Sequence, residues 1–244
     1  MKTLVTALNV ERLKLRRSLI APLVLAAPAL VGIFTFANVV RAERAISWSE
    51  WLSGAMTIWA FFLLPLSVTA LCVLLANIEH VGRTWDHLRA LASPRWTLYA
   101  AKAGVATVLT FVMSGAALAL TAGAVALGAQ FNPGAAPTGD LAVISIAADV
   151  VRLGAASSFL IALQLWIALR FSSFVPALVA GIAGTFFAVV APDAELGAVS
   201  PWQLPLRTLS PDAHEAQSAL ILAVVAGGFA ALAMITHLSR REVV

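Results

Sequence analysis

Few side chains in this 244-residue sequence have the types and spacing that catalysis or metal binding requires. Cys72 is the only cysteine, which excludes an intrachain disulfide and a cysteine-based metal site. The four histidines show no metal-ligand spacing, since His80 and His87 are seven residues apart and the other two lie far along the chain. No G-x-x-x-x-G-K-S/T phosphate loop occurs, so the chain does not hydrolyse ATP by that route. The sequence therefore predicts a protein that is not an enzyme.

Asp149 and Arg152 are a charged pair that interrupts an apolar stretch. Their i,i+3 spacing lets both side chains share one helix face. The pair has two interpretations, and the sequence leaves both open. It is either an ion pair at the outer end of a membrane-spanning helix, or an external gate that contacts substrate.

The inner loop, which we define as residues 78–102, is a polar segment between two long apolar runs. Val81, Trp85 and Leu88 fall at i, i+4 and i+7 on one helix face, and Pro94 ends the helix. This pattern predicts a short amphipathic helix over residues 79–94. It is either a solvated connection anchored at the membrane surface or a coupling helix that docks a cytoplasmic partner. The candidate partner-binding residues are Glu79, His80, Arg83, Trp85, Asp86, Leu88 and Arg89.

The amino-acid composition indicates the kind of environment in which these residues lie. Hydrophobic residues make up 61% of the chain and charged residues 11%, with a mean hydropathy of +0.92. Soluble domains have about 45–50% apolar residues even with glycine counted, and about 25% charged residues. A soluble protein of this length could not hide so much apolar surface. We therefore predict an integral membrane protein with a single domain over residues 1–244.

Six apolar runs approach the length of a bilayer-spanning helix, which needs roughly 20 residues. They are residues 18–40, 52–78, 98–127, 153–169, 174–190 and 219–235. None shows the alternation of a barrel strand, so the predicted fold class is all-α with six transmembrane helices. Before the first run, Leu4, Leu8 and Leu15 predict an amphipathic N-terminal helix.

The basic residues predict the orientation of these helices. If the N-terminus is cytoplasmic, twelve of the sixteen lysines and arginines lie on the cytoplasmic side, those of the inner loop included, and four lie outside. Loops rich in lysine and arginine stay in the cytoplasm. Both termini are therefore expected there. The basic residues occur in short runs beside apolar stretches, so no nucleic-acid partner is expected.

Two rows of small residues recur every four positions, where they allow helix backbones to approach closely. The first is Gly115, Ala119 and Gly123, and the second is Ala223, Gly227 and Ala231. Packing within one subunit and packing between two subunits explain these rows equally well.

The inner loop also resembles that of a known family. Its pattern is Glu79-His80, Gly82, Thr84-Trp85, Leu88, Leu91, Ser93-Pro94-Arg95, Tyr99 and Lys102. This pattern is similar to the inner loop of ABC-2-type transporter permeases, and most similar to the lantibiotic-immunity subgroup. Residues 161–181 and the Pro201-Trp202 pair before the last apolar run resemble the same subgroup.

The resemblance implies a permease subunit of an ABC transporter in the bacterial cytoplasmic (inner) membrane. Its implied partners are a separate ATP-binding subunit, present as a dimer, a second identical or homologous permease subunit, and membrane lipid. ATP and Mg would bind to the partner, with no cofactor in this chain. The implied cargo is an amphipathic antimicrobial peptide, bacteriocin-like, or another lipophilic compound, moved outward. Two other classes remain open: a self-contained channel or carrier, and a membrane scaffold or sensor that docks a cytoplasmic partner.

Overall fold

A computed structural model describes residues 2–15, 18–81, 94–190 and 195–240. Over these ranges the protein is helical, and its strand-like contact is an isolated bridge between Ser47 and Thr138. In chain order the helices are α1 (Lys2–Leu15), α2 (Ile20–Arg41), α3 (Trp48–Ile58), α4 (Leu64–Val81), α5 (Arg95–Phe131), α6 (Val143–Ala156), α7 (Ser158–Arg170), α8 (Val175–Val190), α9 (Leu204–Arg207) and α10 (Ala213–Arg240). A π-helical turn, Trp59–Leu63, joins α3 to α4, and 3₁₀ turns occur at Pro133–Ala135 and Glu195–Val199.

Four helical runs in the described residues are long and apolar enough to cross a membrane. They are Ile20–Arg41, Trp48–His80, Arg95–Phe131 and Ala213–Arg240. Their outward faces are apolar, as shown by Leu25, Phe229 and Leu232, which are 65%, 71% and 62% exposed. A helix with such a face is stable in lipid rather than in water. The predicted all-helical membrane fold is confirmed at this level.

The predicted fourth span, residues 153–169, is one part of a longer broken pair. Helices Ala147–Ala156 and Ser158–Arg170 meet at an angle of 41°. Ser157 lies at the break, and its hydroxyl donates to the Leu153 carbonyl at 2.7 Å. Serine bonds of this kind back to residue i−4 often bend helices. Asp149 and Arg152, which interrupt the apolar run in sequence, lie within the first helix of the pair.

The predicted fifth span, residues 174–190, is a 16-residue helix, Val175–Val190. At 1.5 Å per residue it is about 24 Å long, less than the roughly 30 Å of a bilayer core. Within the described part of the chain, the structure thus supports four membrane-length helices, or five if the bent pair is one span. Six spans remain a prediction.

The centre of the molecule is the long run from α3 to α4. It begins before the predicted residue 52, because Ser47 caps the helix and exchanges hydrogen bonds with Glu50 in a capping box. Among the residues that the structure describes, the largest fully buried side chain is Trp59, whose Nε1 donates to the Ser114 hydroxyl of α5 at 3.1 Å. Helix α2 packs along α5, and α10 packs along α7. The run and α5 together therefore position the two ends of the inner loop, since α4 leads into the loop and α5 follows it.

Candidate functional site at the inner loop

Four charged side chains meet where the inner loop joins the helices, and we call them the inner charge cluster: Glu11, Lys14, Glu79 and Lys102. Helix α1 supplies the first two from successive turns. The last turn of α4 supplies Glu79, and the second turn of α5 supplies Lys102. The cluster joins three helices from distant parts of the sequence. It contains two positive and two negative groups, so its formal charge is zero.

Lys102 is the centre of the cluster and is only 1% exposed. Its Nζ donates to Glu11 Oε2 at 2.8 Å, to Glu79 Oε1 at 3.1 Å and to the Leu75 carbonyl at 3.1 Å. An ammonium group has three N–H donors, and these three acceptors match them. The carboxylates are equally buried, with Glu11 at 3% and Glu79 at 1% exposure. The ion pairs are therefore shielded from water and from salt.

Lys14 closes the cluster on its more exposed side. Its Nζ lies 2.9 Å from Glu11 Oε1 and also forms an ion pair with Glu79. Burial lowers the pKa of Lys14, but the hydrogen bond to Glu79 and the charge of Glu11 outweigh it and raise that pKa above 10.5. The ammonium form therefore stabilises the fold below pH 10.5, and this contribution is lost as the pH rises through the raised pKa.

Few features of the sequence indicate this arrangement. Glu11 and Lys14 have no individual role in the sequence patterns, Lys102 is the last residue of the inner-loop pattern, and Glu79 is a candidate partner-binding residue. One local signal was present: Glu11 and Lys14 are spaced i,i+3 and can share a helix face. A second was Lys102 within the apolar run of 98–127. Neither signal identifies the partner groups on other helices.

The candidate partner-binding residues have different positions. Glu79 belongs to the inner charge cluster, and His80 Nε2 lies 3.3 Å from the Ala168 carbonyl near the end of α7. The others, Arg83, Trp85, Asp86, Leu88 and Arg89, lie outside the described residues, as does most of the predicted helix over 79–94. Their role in partner binding remains a prediction.

A second contact ties two helix ends together near His80. The Trp166 indole of α7 donates to His237 Nδ1 of α10 at 3.0 Å, and the two rings meet edge to face. No pattern in the sequence predicts this contact. Among the described residues, no group of three or more histidine, cysteine, aspartate and glutamate side chains could hold a metal ion.

The Asp149/Arg152 pair lies at the opposite end of the molecule. Their closest charged atoms are 3.7 Å apart, and the side chains are 38% and 54% exposed. The two residues face different cavities: Asp149 lines one of about 70 Å³ with Asp140, and Arg152 lines one of about 520 Å³ with Ser210. Exposed pairs of this type contribute roughly 0–1 kcal/mol. The role as an outer gate remains a prediction.

The two rows of small residues differ in their packing. In α10, a Cβ added at Gly227 would lie 2.7 Å from the Phe159 backbone nitrogen and 2.6 Å from the Ser158 hydroxyl. In α5, a Cβ added at Gly115 or Gly123 would meet nothing within 4 Å. The α10 row is therefore used within the subunit. Two residues of the α5 row, Ala119 and Gly123, line an open apolar groove of about 460 Å³ between α2 and α5.

The sequence matches a known protein family over most of its length. A family model described as ABC-2 family transporter protein matches residues 7–188, from within α1 to the last turn of α8. The chain belongs to this family. The match includes all four residues of the inner charge cluster. No curated protein and no solved structure matches the chain.

Membership of the ABC-2 family confirms the resemblance read from the inner loop at the level of the family. ABC-2 permeases are membrane subunits of transporters that are typically not catalytic and generally work with an ATP-binding subunit. The apolar helices and the family together indicate a multi-pass membrane protein.

Proposed function

We propose that this chain is the membrane-spanning permease subunit of an ABC exporter and that a separate ATP-binding subunit drives it. The match to the ABC-2 family over residues 7–188 carries this proposal. No G-x-x-x-x-G-K-S/T phosphate loop occurs in the sequence, and the proposal therefore places ATP on a separate subunit. ATP and Mg bind to the partner, and two permease subunits, identical or homologous, complete the transporter in the bacterial cytoplasmic membrane.

The proposed cargo is an amphipathic peptide of the antimicrobial type, or another lipophilic compound. The resemblance of the inner loop to the lantibiotic-immunity subgroup supports a peptide. The apolar lining of the open groove between α2 and α5, which includes Ile33, Phe36 and Leu127, suits amphiphiles leaving the membrane better than small ions.

Reconstitution tests the proposed function directly. The chain is co-expressed with an ABC ATP-binding subunit from the same genome, purified and placed in proteoliposomes. A fluorescent cationic amphipathic peptide and a fluorescent phospholipid serve as transport probes. We expect the chain alone to hydrolyse no ATP, and the complex to hydrolyse ATP and move the peptide. Movement of a probe by the chain alone would support a self-contained carrier instead. Normal transport with an ATP-binding subunit unable to hydrolyse ATP would contradict the proposal.

We also propose that both termini and the inner loop are cytoplasmic, as the distribution of lysine and arginine indicates. Cys72 is fully buried and is not expected to react with a maleimide, so labelling reports on the single introduced cysteine. A membrane-impermeant maleimide should label Gln217→Cys in intact cells, and Arg240→Cys only after permeabilisation. The reverse pattern would invert the proposed topology.

Trp85 is the proposed anchor between the inner loop and the ATP-binding subunit. Large aromatic side chains at the centre of an interface commonly cost about 2 kcal/mol when truncated, which corresponds to a roughly thirtyfold weaker association. We expect Trp85→Ala to fold normally and to lose co-purification with the ATP-binding subunit. Trp96→Ala is the matched control, since Trp96 is 47% exposed at the start of α5. Equal co-purification of both variants would remove Trp85 from the interface.

A further inference from the structure

Helix α1 contacts the base of the inner loop, by which we mean the last turn of α4 and the first two turns of α5. The loop is held at two points, the end of α4 and the start of α5, and Glu79 and Lys102 stand beside those points. Their direct contact is one ion pair, and Glu11 and Lys14 of α1 extend it to four. Apolar contacts hold α1 in the same place, because Leu8 and Leu15 pack against the core and Leu8 lies beside Gly104 of α5.

The ion pairs of the cluster specify one position of α1 relative to α4 and α5. A buried group of apolar side chains would hold three helices together at least as well as four charges do. Charges add direction, because Lys102 satisfies its three donors only when the Glu11 carboxylate stands opposite Glu79 and the Leu75 carbonyl. A shift of α1 by one residue would remove Glu11 and leave a buried ammonium short of one carboxylate. The cluster therefore sets the register of α1 against α4 and α5.

We propose that α1 positions the base of the inner loop, with Glu11 and Lys102 as the positioning residues. This arrangement transmits movement of the ATP-binding subunit to the membrane-spanning helices. This proposal rests on the function proposed above. Without the ion pairs to α1, the ends of α4 and α5 would separate when the ATP-binding subunit moves. The movement would then displace the loop alone and would not reach the spans. Glu11 thus contributes to coupling although it lies more than sixty residues before the loop.

The test separates this positioning role from a role in stability alone. Lys102→Met leaves the cluster with a net charge of −1, and Glu11→Gln leaves it with +1. The double variant, Glu11→Gln with Lys102→Met, is neutral again and keeps the ion pair between Lys14 and Glu79. It lacks the link from α1 to α5, the ion pair between Lys102 and Glu79 and the ion pair between Glu11 and Lys14, so the link from α1 to α4 is the one ion pair of the cluster that remains. Arg12→Gln is the control, since Arg12 is exposed on the same helix.

Three measurements are made on each variant in complex with the ATP-binding subunit: thermal unfolding, co-purification, and the stimulation of ATP hydrolysis by the permease. We expect the double variant to unfold near the wild-type temperature and to keep its partner, while stimulation falls at least fivefold. Arg12→Gln should match the wild type in all three. Wild-type stimulation in the double variant would overturn the proposal, because stability would then be the only role of the link.

Two further measurements cover the cases in which the double variant does not fold or the wild type does not stimulate ATP hydrolysis. If the double variant does not fold, Glu11→Asp shortens the link by one methylene and keeps its charge. Reduced stimulation in this variant supports the proposal, and unchanged stimulation overturns it. Hydrogen exchange of residues 78–94 is followed on the full-length permease alone, without any partner. Faster exchange in the double variant than in Arg12→Gln supports the proposal even if the wild type stimulates no ATP hydrolysis, an outcome that would contradict only the proposed function.

Discussion

Replacing Lys102 with methionine is expected to lower the free energy of unfolding by about 3–5 kcal/mol, the usual cost of breaking a buried ion pair from one side. Methionine has a similar length and removes only the ammonium group. Glu11 and Glu79, at 3% and 1% exposure, would then share Lys14 as their only cation within the cluster. Neither carboxylate can reach water without moving a helix. Thermal unfolding and denaturant titration of the purified chain measure the loss.

The matched control removes an arginine from an exposed pair. Arg152→Gln breaks the contact with Asp149, whose charged atoms are 3.7 Å apart and well exposed. The expected loss is at most about 1 kcal/mol. Adding Glu11→Gln to Lys102→Met should recover most of the stability, because it removes the carboxylate left in excess. Equal losses for Lys102→Met and Arg152→Gln would show that burial does not strengthen the inner charge cluster.

Replacing Gly227 with leucine is expected to lower the free energy of unfolding by roughly 3 kcal/mol or more, at or beyond the upper end for an overpacked core. Here α10 approaches α7 so closely that even a Cβ would lie 2.7 Å from the Phe159 backbone nitrogen. Backbone atoms cannot turn aside as a side chain can, so the two helices would have to separate. Separation would also break the hydrogen bond from the Ser158 hydroxyl to the Ala223 carbonyl, which is 2.8 Å long.

Gly228→Leu is the control for this prediction, since it stands one residue further along the same helix. A Cβ at Gly228 would meet nothing within 4 Å, and the residue is exposed. Leucine has a higher helix propensity than glycine and suits a lipid-facing surface, so this variant should be at least as stable as the wild type. The yield of folded protein and its unfolding temperature compare the two. A Gly228→Leu variant as unstable as Gly227→Leu would show that leucine is poorly tolerated throughout α10.

Much of the helical framework could be predicted from the sequence, because a bilayer demands long apolar segments whose backbone bonds are satisfied internally. The apolar run 98–127 corresponds to the helix Arg95–Phe131, and the run 219–235 lies inside Ala213–Arg240. Helix ends were harder to predict. Polar residues such as Ser47 and Glu50 extend a helix by capping it, although they are not part of its apolar run.

The broken fourth span shows where a hydropathy window fails. The run 153–169 is predominantly apolar, and its mean hydropathy is unaffected by the Ser157 bond that accompanies the bend. A similar limit applies to Val175–Val190, whose composition is that of a membrane helix and whose length is not. The number of spans depends on these local geometries, and the composition of a segment does not contain them.

The sequence by itself determined that this protein is helical, lies in a membrane and carries a charged loop of the ABC-2 type, since all three follow from properties of single segments. Tertiary structure alone decided which charges are buried. Lys102 and Glu11 are 91 positions apart, and nothing near either residue indicates the other. They meet because α1, α4 and α5 pack together, and that packing depends on the shapes of surfaces formed by residues from separate helices. A charge exposed on its own helix becomes buried only when another helix covers it.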